Sequence, residues 1–265
     1  MRIVMLTAHA VPTAGSVTAE CIERLRQWGV RVDVVLPETL VDLNSLAASA
    51  DLYLLKSVDD HVVGVASGLE AAGARCLNRA AVVRLCRDRV AVTGVLAAAG
   101  VPVPQSWTTS ELPALAPLLE EGPVIVKSGK VRAGMGHRVV WDPEDLAEST
   151  LPGQQWLVQR LEQTASRDRK IYRIGDQVFG VKRRWPATSL ADKHGEPFTV
   201  TAELRRISDD AARALGTDLF SLDLVETQDG PVVVDVHPFP GFKGVPNGAL
   251  RLADYIFAAL QGGRP

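Results

Sequence analysis

Apolar and polar positions change rhythm along this chain, and the changes mark its elements. Residues 2–7 form a short apolar run of the kind a buried strand shows. From Val17 to Trp28, the apolar positions Cys21, Ile22, Leu25 and Trp28 recur at helical spacing, and Gly29 suits the helix end. RVDVVLP (31–37) and DLYLLKS (51–57) read as a second and a third strand, with helical material between them. That alternation predicts a small parallel α/β layer over residues 1–78.

Beyond residue 78 the rhythm differs. Residues 79–99 read as helix, in two segments, and the prolines of GVPVPQSW (100–107) force an extended crossing between domains. PVIVKSG, HRVVW, WLVQRL, KIYRIG, QVFGVKRR, FSLDLVE and PVVVDVH are strand-like, and Arg251 to Leu260 is a final helix before a QGGRP tail. The pattern divides the chain into three parts: 1–78, a parallel α/β domain; 79–155, linker helices and a strand-rich subdomain with a glycine-rich loop; and 156–265, a second strand-rich subdomain.

Composition narrows the setting. The chain has 265 residues, 46% apolar and 23% charged, with a net charge of −2, so nothing global draws it to nucleic acid or to a membrane. Cys21, Cys76 and Cys86 lack metal-like spacing and read as buried thiols in a reducing compartment. The start, MRIVMLTAHA, carries no signal-peptide or spanning pattern, and a cytoplasmic location is the expectation.

Four stretches carry candidate chemistry. In VVDVHPFPGFKG (233–244), Asp235 and His237 alternate on one strand. FSLDLVE and PVVVDVH are joined by a TQDG-type turn and make a reasonable hairpin. A three-residue loop sets Asp223 directly across from Asp235; a two-residue loop puts Val236 there and turns the acids to opposite faces. Side by side, the carboxylates repel and a bound cation relieves the cost; the bland alternative is a solvated hairpin face. In VIVKSGKVRAGMGH (124–137), Lys127 ends an apolar strand and glycines stand at 129, 134 and 136, a loop able to fold over phosphates or simply to turn. In VFGVKRRW (178–185), Gly180 and Lys182 share a face and Arg183 points the other way unless the strand is bulged; such bases suit an anionic ligand or a solvated strand end. In WLVQRLEQTASRDRK (156–170), an apolar strand runs into a polar connector whose backbone can read an adenine, with an acid further along for ribose hydroxyls.

Taken in order, these segments resemble the ATP-grasp superfamily, in the branch of ribosomal protein S6 glutamate ligases, glutathione synthetases and inositol tetrakisphosphate kinases. The resemblance is strongest over residues 78–245. It implies an ATP-grasp fold: a short N-terminal domain, then an ATP cleft between two strand-rich α+β subdomains. It also implies roles. Lys127 would meet the α/β phosphates, beneath the mobile loop of Gly134 and Gly136. Arg160 and Leu161 would hold adenine mostly by backbone, Asp168 would approach the ribose, and Lys182 would sit in the nucleotide cleft. Arg183 would face the transferring phosphate or the intermediate. Asp223, Asp235 and His237 match the three metal-ligand positions, which implies ATP with Mg²⁺ or Mn²⁺, as two ions.

Departures from the family pattern are specific. His237 stands where Asn is usual, and it would ligate metal, bind substrate or hydrogen-bond to a ligating acid. Asp235 stands where the S6-type ligases carry Glu and the inositol kinases Asp. Arg89 replaces an early phosphate lysine and is kept as a nucleotide contact. Arg160 replaces a Glu, and the basic-Ser-Asn run after the VKRR strand is missing.

The resemblance implies ATP-dependent joining of a small carboxylate or amino-acid-like substrate to an amine, through an acyl phosphate. Arg183 and Lys243, the latter in the turn after the hairpin, are the candidate catalytic contacts. A small-molecule kinase acting on a polyol is the first alternative, and a nucleotide-binding protein without turnover the second. Nucleic acid and membrane are not expected partners, and homo-oligomerisation stays open. Trp107, Trp141 and Trp156 read as core or interface anchors, His9 as a surface residue, and His61 and Trp185 as minor candidates for the cleft.

Overall fold

The computed structural model describes the chain except residues 8–11, 37, 48, 132–136, 148–153, 163–166, 185–194 and 263–265, with the side chains of 46, 47, 147, 167, 168 and 184 also set aside. Gly134, Gly136, His9 and Trp185, and the side chain of Asp168, therefore lie outside the described residues.

The N-terminal layer is a parallel sheet of order β2–β1–β3–β4, from β1 (Arg2–Leu6), β2 (Arg31–Val35), β3 (Leu52–Leu55) and β4 (Cys76–Leu77). Apart from Arg2 at the start of β1, its middle strands carry only apolar and aromatic residues, because both faces are covered. Ile3, Met5, Leu52 and Leu54 pack toward α1 (Val17–Gln27), whose Cys21, Ile22 and Leu25 form the expected stripe. Val4, Leu6, Tyr53 and Leu55 pack with Val62, Val63, Ala66 and Leu69, which belong to α3 (Asp60–Ala71). A short α2 (Leu43–Ala47) joins β2 to β3. Ser16 caps α1 by accepting the Ala19 N–H, and Asp59 caps α3 by accepting the His61 N–H.

Two helices, α4 (Ala80–Arg87) and α5 (Arg89–Ala98), lead into a second sheet of order β5–β8–β6–β7. Its strands are β5 (Ser106–Thr109), β6 (Val124–Ser128), β7 (His137–Val140) and β8 (Trp156–Arg160), with α6 (Ala116–Leu119) before β6. β8 pairs with both β5 and β6 and so belongs to the second sheet. Ladder pairing outweighed the sequence order that set WLVQRL with the later strands.

The third sheet has the order β11–β10–β9–β12–β13 and is antiparallel. It comprises β9 (Arg167–Ile174), β10 (Gln177–Arg184), β11 (Glu196–Phe198), β12 (Leu219–Thr227) and β13 (Gly230–His237). One face packs on α5 and on α7 (Ala202–Leu215) through Leu204, Ile207, Ala211 and Leu215. α7 is not among the elements expected from the sequence, although Thr201 as N-cap, a helical apolar stripe and a left-handed Gly216 (φ 68°) at its end announce it. The last helix, α8 (Gly248–Leu260), packs against α1 and shares a core with Ile3, Met5 and Ile174. The chain's end thus ties the third sheet to the N-terminal layer.

Trp107 and Trp156 pack against the core of the second sheet, but Trp141, expected to be an anchor, is 60% exposed just past β7. No described helix is long and apolar enough to cross a membrane.

Burial pushes the thiols of Cys21, Cys76 and Cys86 up to about 12. Iodoacetamide at pH 8 should leave all three unmodified in the folded chain and label all three in denaturant, as read by intact mass. Rapid labelling of any one under native conditions would contradict the packing described.

Candidate active site

The hairpin of β12 and β13 turns through two residues, Gln228 and Asp229, with Thr227 paired to Gly230. Pairing runs regularly to Leu224 opposite Val233. There the register shifts, Val234 bulges, and Asp223 stands opposite Asp235. The expected opposition of the two acids is therefore present, produced by a two-residue turn with a bulge instead of a three-residue loop. His237, two residues beyond Asp235, lies on the same face, and its Nε2 is 3.0 Å from Asp223 Oδ2.

Across from the bulge stands Lys127, at the carboxyl end of β6. Its Nζ donates to Gln159 Oε1 (2.7 Å) and to the Val234 carbonyl (2.8 Å). Gln159 in turn donates to Ser106 Oγ. Burial draws Lys127 down to about 8; Asp235 opposes that, Arg89 adds to it, and Asp223 opposes it weakly. Arg89 opens α5, donates to the Ser128 carbonyl (3.1 Å) and reaches within 3.6 Å of Asp235.

These groups line a cavity of about 280 Å³ between the second and third sheets. Its apolar walls come from Pro104, Ile125, Val225 and Val234; Arg89, Lys127, His137, Arg183, Asp223 and Asp235 supply the polar lining. The linker residues Arg160, Leu161 and Glu162 also border it. The Arg160 N–H donates to Gln105 O and the Leu161 N–H to Pro123 O, so neither donor is left to read a base. The Arg160 guanidinium is held by the Leu118 and Gly122 carbonyls and by Glu121, over the Trp107 ring. It clamps β8 to the turn before β6.

A second cavity, of about 500 Å³, opens where the carboxyl end of β3 meets the third sheet. Lys56, Ser57 and Val58 line one side, Lys170, Tyr172 and His237 another, and the turn from Pro238 to Lys243 a third. Lys56 Nζ donates to the Phe239 carbonyl (2.8 Å), sits over that residue's ring and is drawn by burial down to about 8. Phe242 is fully buried at a φ of 49°, a conformation a bulky residue takes only when packing holds it, here against Tyr172 and Phe239. His61 lines neither of these two cavities.

Arg183 and Asp223 line both cavities. Asp223 Oδ1 accepts from Lys170 (2.6 Å) and from Arg183 (3.2 Å). Burial opposes ionisation of Asp223, but Lys170, His237 and Arg183 together hold its carboxyl well below the usual range. Lys170 is only 6% exposed and sits directly opposite Asp223 in the β9–β12 ladder.

The other expected residues fall as follows. Lys243 lines the second cavity. Lys182 does not join the first: strand alternation turns it to the face opposite Arg183, and its Nζ rests 5.6 Å from the centre of the Phe198 ring. Asp168 is paired with Arg183 in the β9–β10 ladder. Lys56, Lys170, His137 and Gln159 were not anticipated. Lys56 ends an apolar strand in DLYLLKS as Lys127 does in PVIVKSG, and that repeated pattern was the available signal.

Among the described residues no group of three or more His, Cys, Asp or Glu side chains is arranged to hold a metal ion. At Asp223, Lys170 and Arg183 take one oxygen and His237 faces the other. Asp235 is less engaged: Oδ1 accepts the Val236 N–H, and Oδ2 has the long contact with Arg89. These residues fit one cation at Asp235 better than a pair spanning the three expected ligands.

The architecture, a parallel N-terminal sheet and two strand-rich subdomains around a cleft, is that of ATP-grasp proteins. A RimK-like ATP-grasp domain matches residues 86–258, and the chain belongs to that family. It is 26% identical over 228 residues to a probable alpha-L-glutamate ligase 2 of Hahella chejuensis, covering 78% of this chain and 74% of that protein. The crystal structure of a RimK domain ATP-grasp protein from Sphaerobacter thermophilus superimposes with a TM-score of 0.75 at 23% identity, over 97% of this chain and 100% of that one. The ATP-grasp ligase PsnB, solved with a minimal precursor, Mg and ADP, gives a TM-score of 0.72 at 19% identity, over 98% and 97% of the two chains. Membership makes this chain an ATP-grasp enzyme of the ligase type, a class that works with ATP and a divalent metal.

Lys127 carries a pH signature. Its amine titrates near 8 in the folded chain against 10.5 as the ordinary value, so between those pH values the unfolded chain binds more protons and stability rises with pH. The stability of wild type relative to Lys127→Met should therefore rise between pH 8 and pH 10, by up to about 3 kcal/mol. Paired denaturant titrations measure it, and a constant difference would contradict the burial of an ammonium here.

Proposed function

We propose that the chain joins a carboxylate to an amine, using ATP in the first cavity and the acid in the second. The observation that carries this is the shared wall: Arg183 and Asp223 border both cavities, so a terminal phosphate and an acceptor meet at one guanidinium.

In this reading a base lies among Pro104, Ile125 and Val225, and the phosphates run toward Lys127 and Arg89. Lys127 exchanges the Val234 carbonyl for a phosphate oxygen, which is a stronger partner for an ammonium. The acceptor cavity holds Lys56, Lys170, Arg183 and Lys243 against the single carboxylate of Asp223, and that excess of positive charge draws in an acid. A carboxylate oxygen of the acid attacks the γ-phosphorus, the bond to the β–γ bridging oxygen breaks, and ADP leaves. Arg183 faces the oxygens on which charge gathers. An amine then attacks the acyl carbon, loses a proton, and expels inorganic phosphate as the amide forms. Asp235 would hold a divalent cation, which would neutralise phosphate charge. This scheme needs no covalent nucleophile from the chain.

Product mass tests the reading. Protein is incubated with ATP, Mg²⁺ and pools of carboxylic acids, amino acids and polyols. The expected product has the mass of acid plus amine minus water, with ADP and phosphate released. Arg183→Met should slow turnover by roughly 10²-fold or more and leave ATP binding within a few-fold. A stable product gaining one phosphoryl group would make the protein a kinase. ATP binding without consumption across all pools would make it a binding protein.

A further inference from the structure

Lys170 is a buried cation of the site that sequence reading gave no role, and its surroundings bear on the metal. The family pattern sets Asp223, Asp235 and His237 as ligands for two ions. The structure gives Asp223 other partners, and they are fixed by the sheet. Lys170 stands opposite Asp223 across β9 and β12, and its ammonium reaches Oδ1 at 2.6 Å. Arg183, one strand further, reaches the same oxygen from the β10 side at 3.2 Å. His237 Nε2 faces Oδ2 at 3.0 Å. An ion drawn to Asp223 would meet two cations in its first approach, and displacing Lys170 would strand a buried ammonium. The His at the third position is spent on Asp223 as well. Asp235 alone keeps a loosely held oxygen on the nucleotide side.

We propose that the Lys170 ammonium stands in for one of the two metal ions, so that this enzyme binds ATP with a single divalent cation, held through Asp235. The proposal rests on the nucleotide reading given above. It makes the Lys170–Asp223 pair a fixed positive charge beside the transferring phosphate, present whether or not free metal is plentiful. It also accounts for the replacement of Asn by His at position 237: an imidazole that hydrogen-bonds to Asp223 completes its shell, where a third metal ligand has no second ion to hold.

The test is a count of Mn²⁺ by electron paramagnetic resonance, at saturating metal and a non-hydrolysable ATP analogue, relative to analogue retained. Wild type should bind one ion per analogue. Lys170→Arg, which keeps the charge, should also bind one. Lys170→Met should bind two, because Asp223 loses its nearest cation. Asp235→Asn should lose the wild-type ion. Two ions per analogue in the wild type would overturn the proposal whatever the variants do, and one ion in Lys170→Met would remove Lys170 from it. Failure of the wild type to retain any analogue would instead overturn the nucleotide reading on which the proposal rests.

Discussion

The two-residue turn at Gln228–Asp229 would carry its register straight up the hairpin and set Asp223 opposite Val234. The extra residue in β13 shifts that register by one, and Asp223 meets Asp235 instead. The meeting of the two acids follows from the shift. Both acids and His237 come to one face. The Val234 carbonyl accepts a hydrogen bond from Lys127, so the second and third sheets touch at the bulge. Without it, strand alternation would send the acids to opposite faces and leave the cleft without its polar floor.

The second organising feature is the concentration of buried charge around Asp223. Lys127, Lys170 and Lys56 are all pulled down by burial, and two of them to about 8. Ammonium groups held in this way lower stability, since water solvates them better than carbonyls do. They are retained because a partly desolvated cation interacts more strongly with phosphate or carboxylate than a hydrated one. The shared wall of Arg183 and Asp223 then gives the two cavities a common electrostatic centre. Lys170 works on that centre through Asp223, and Lys56 ties the turn after the hairpin to the N-terminal layer.

Much of this was legible in the sequence, for particular reasons. The doubly covered strands of the first layer are continuous apolar runs, and the strands and paired helices that follow announce themselves by period. Lys127, Arg89, Asp223 and Asp235 were recoverable because each ends or punctuates an apolar strand or helix near the cleft. Three things were not. The bulge leaves no mark in PVVVDVH, so turn length alone could not decide the pairing. The resemblance put Lys182 in the nucleotide cleft, whereas the ladder with β11 sets it over Phe198. Lys170 acquires its meaning only from a strand some fifty residues later, with |i−j| of 53. Cross-strand neighbours of that separation are set by topology, and no local pattern records them.

The most direct measurement is trapping with hydroxylamine. An acyl phosphate formed where the two cavities meet reacts with hydroxylamine whatever the natural amine is, so the identity of the amine is not needed. Protein, ATP, Mg²⁺ and a panel of carboxylic acids are incubated with hydroxylamine, and hydroxamate and ADP are measured together. The expected result is a hydroxamate of at least one acid, formed in equal amount to ADP and slowed by roughly 10²-fold or more in Arg183→Met. ADP release with no hydroxamate from any acid, and phosphate retained on a hydroxyl product, would contradict carboxylate activation at this site.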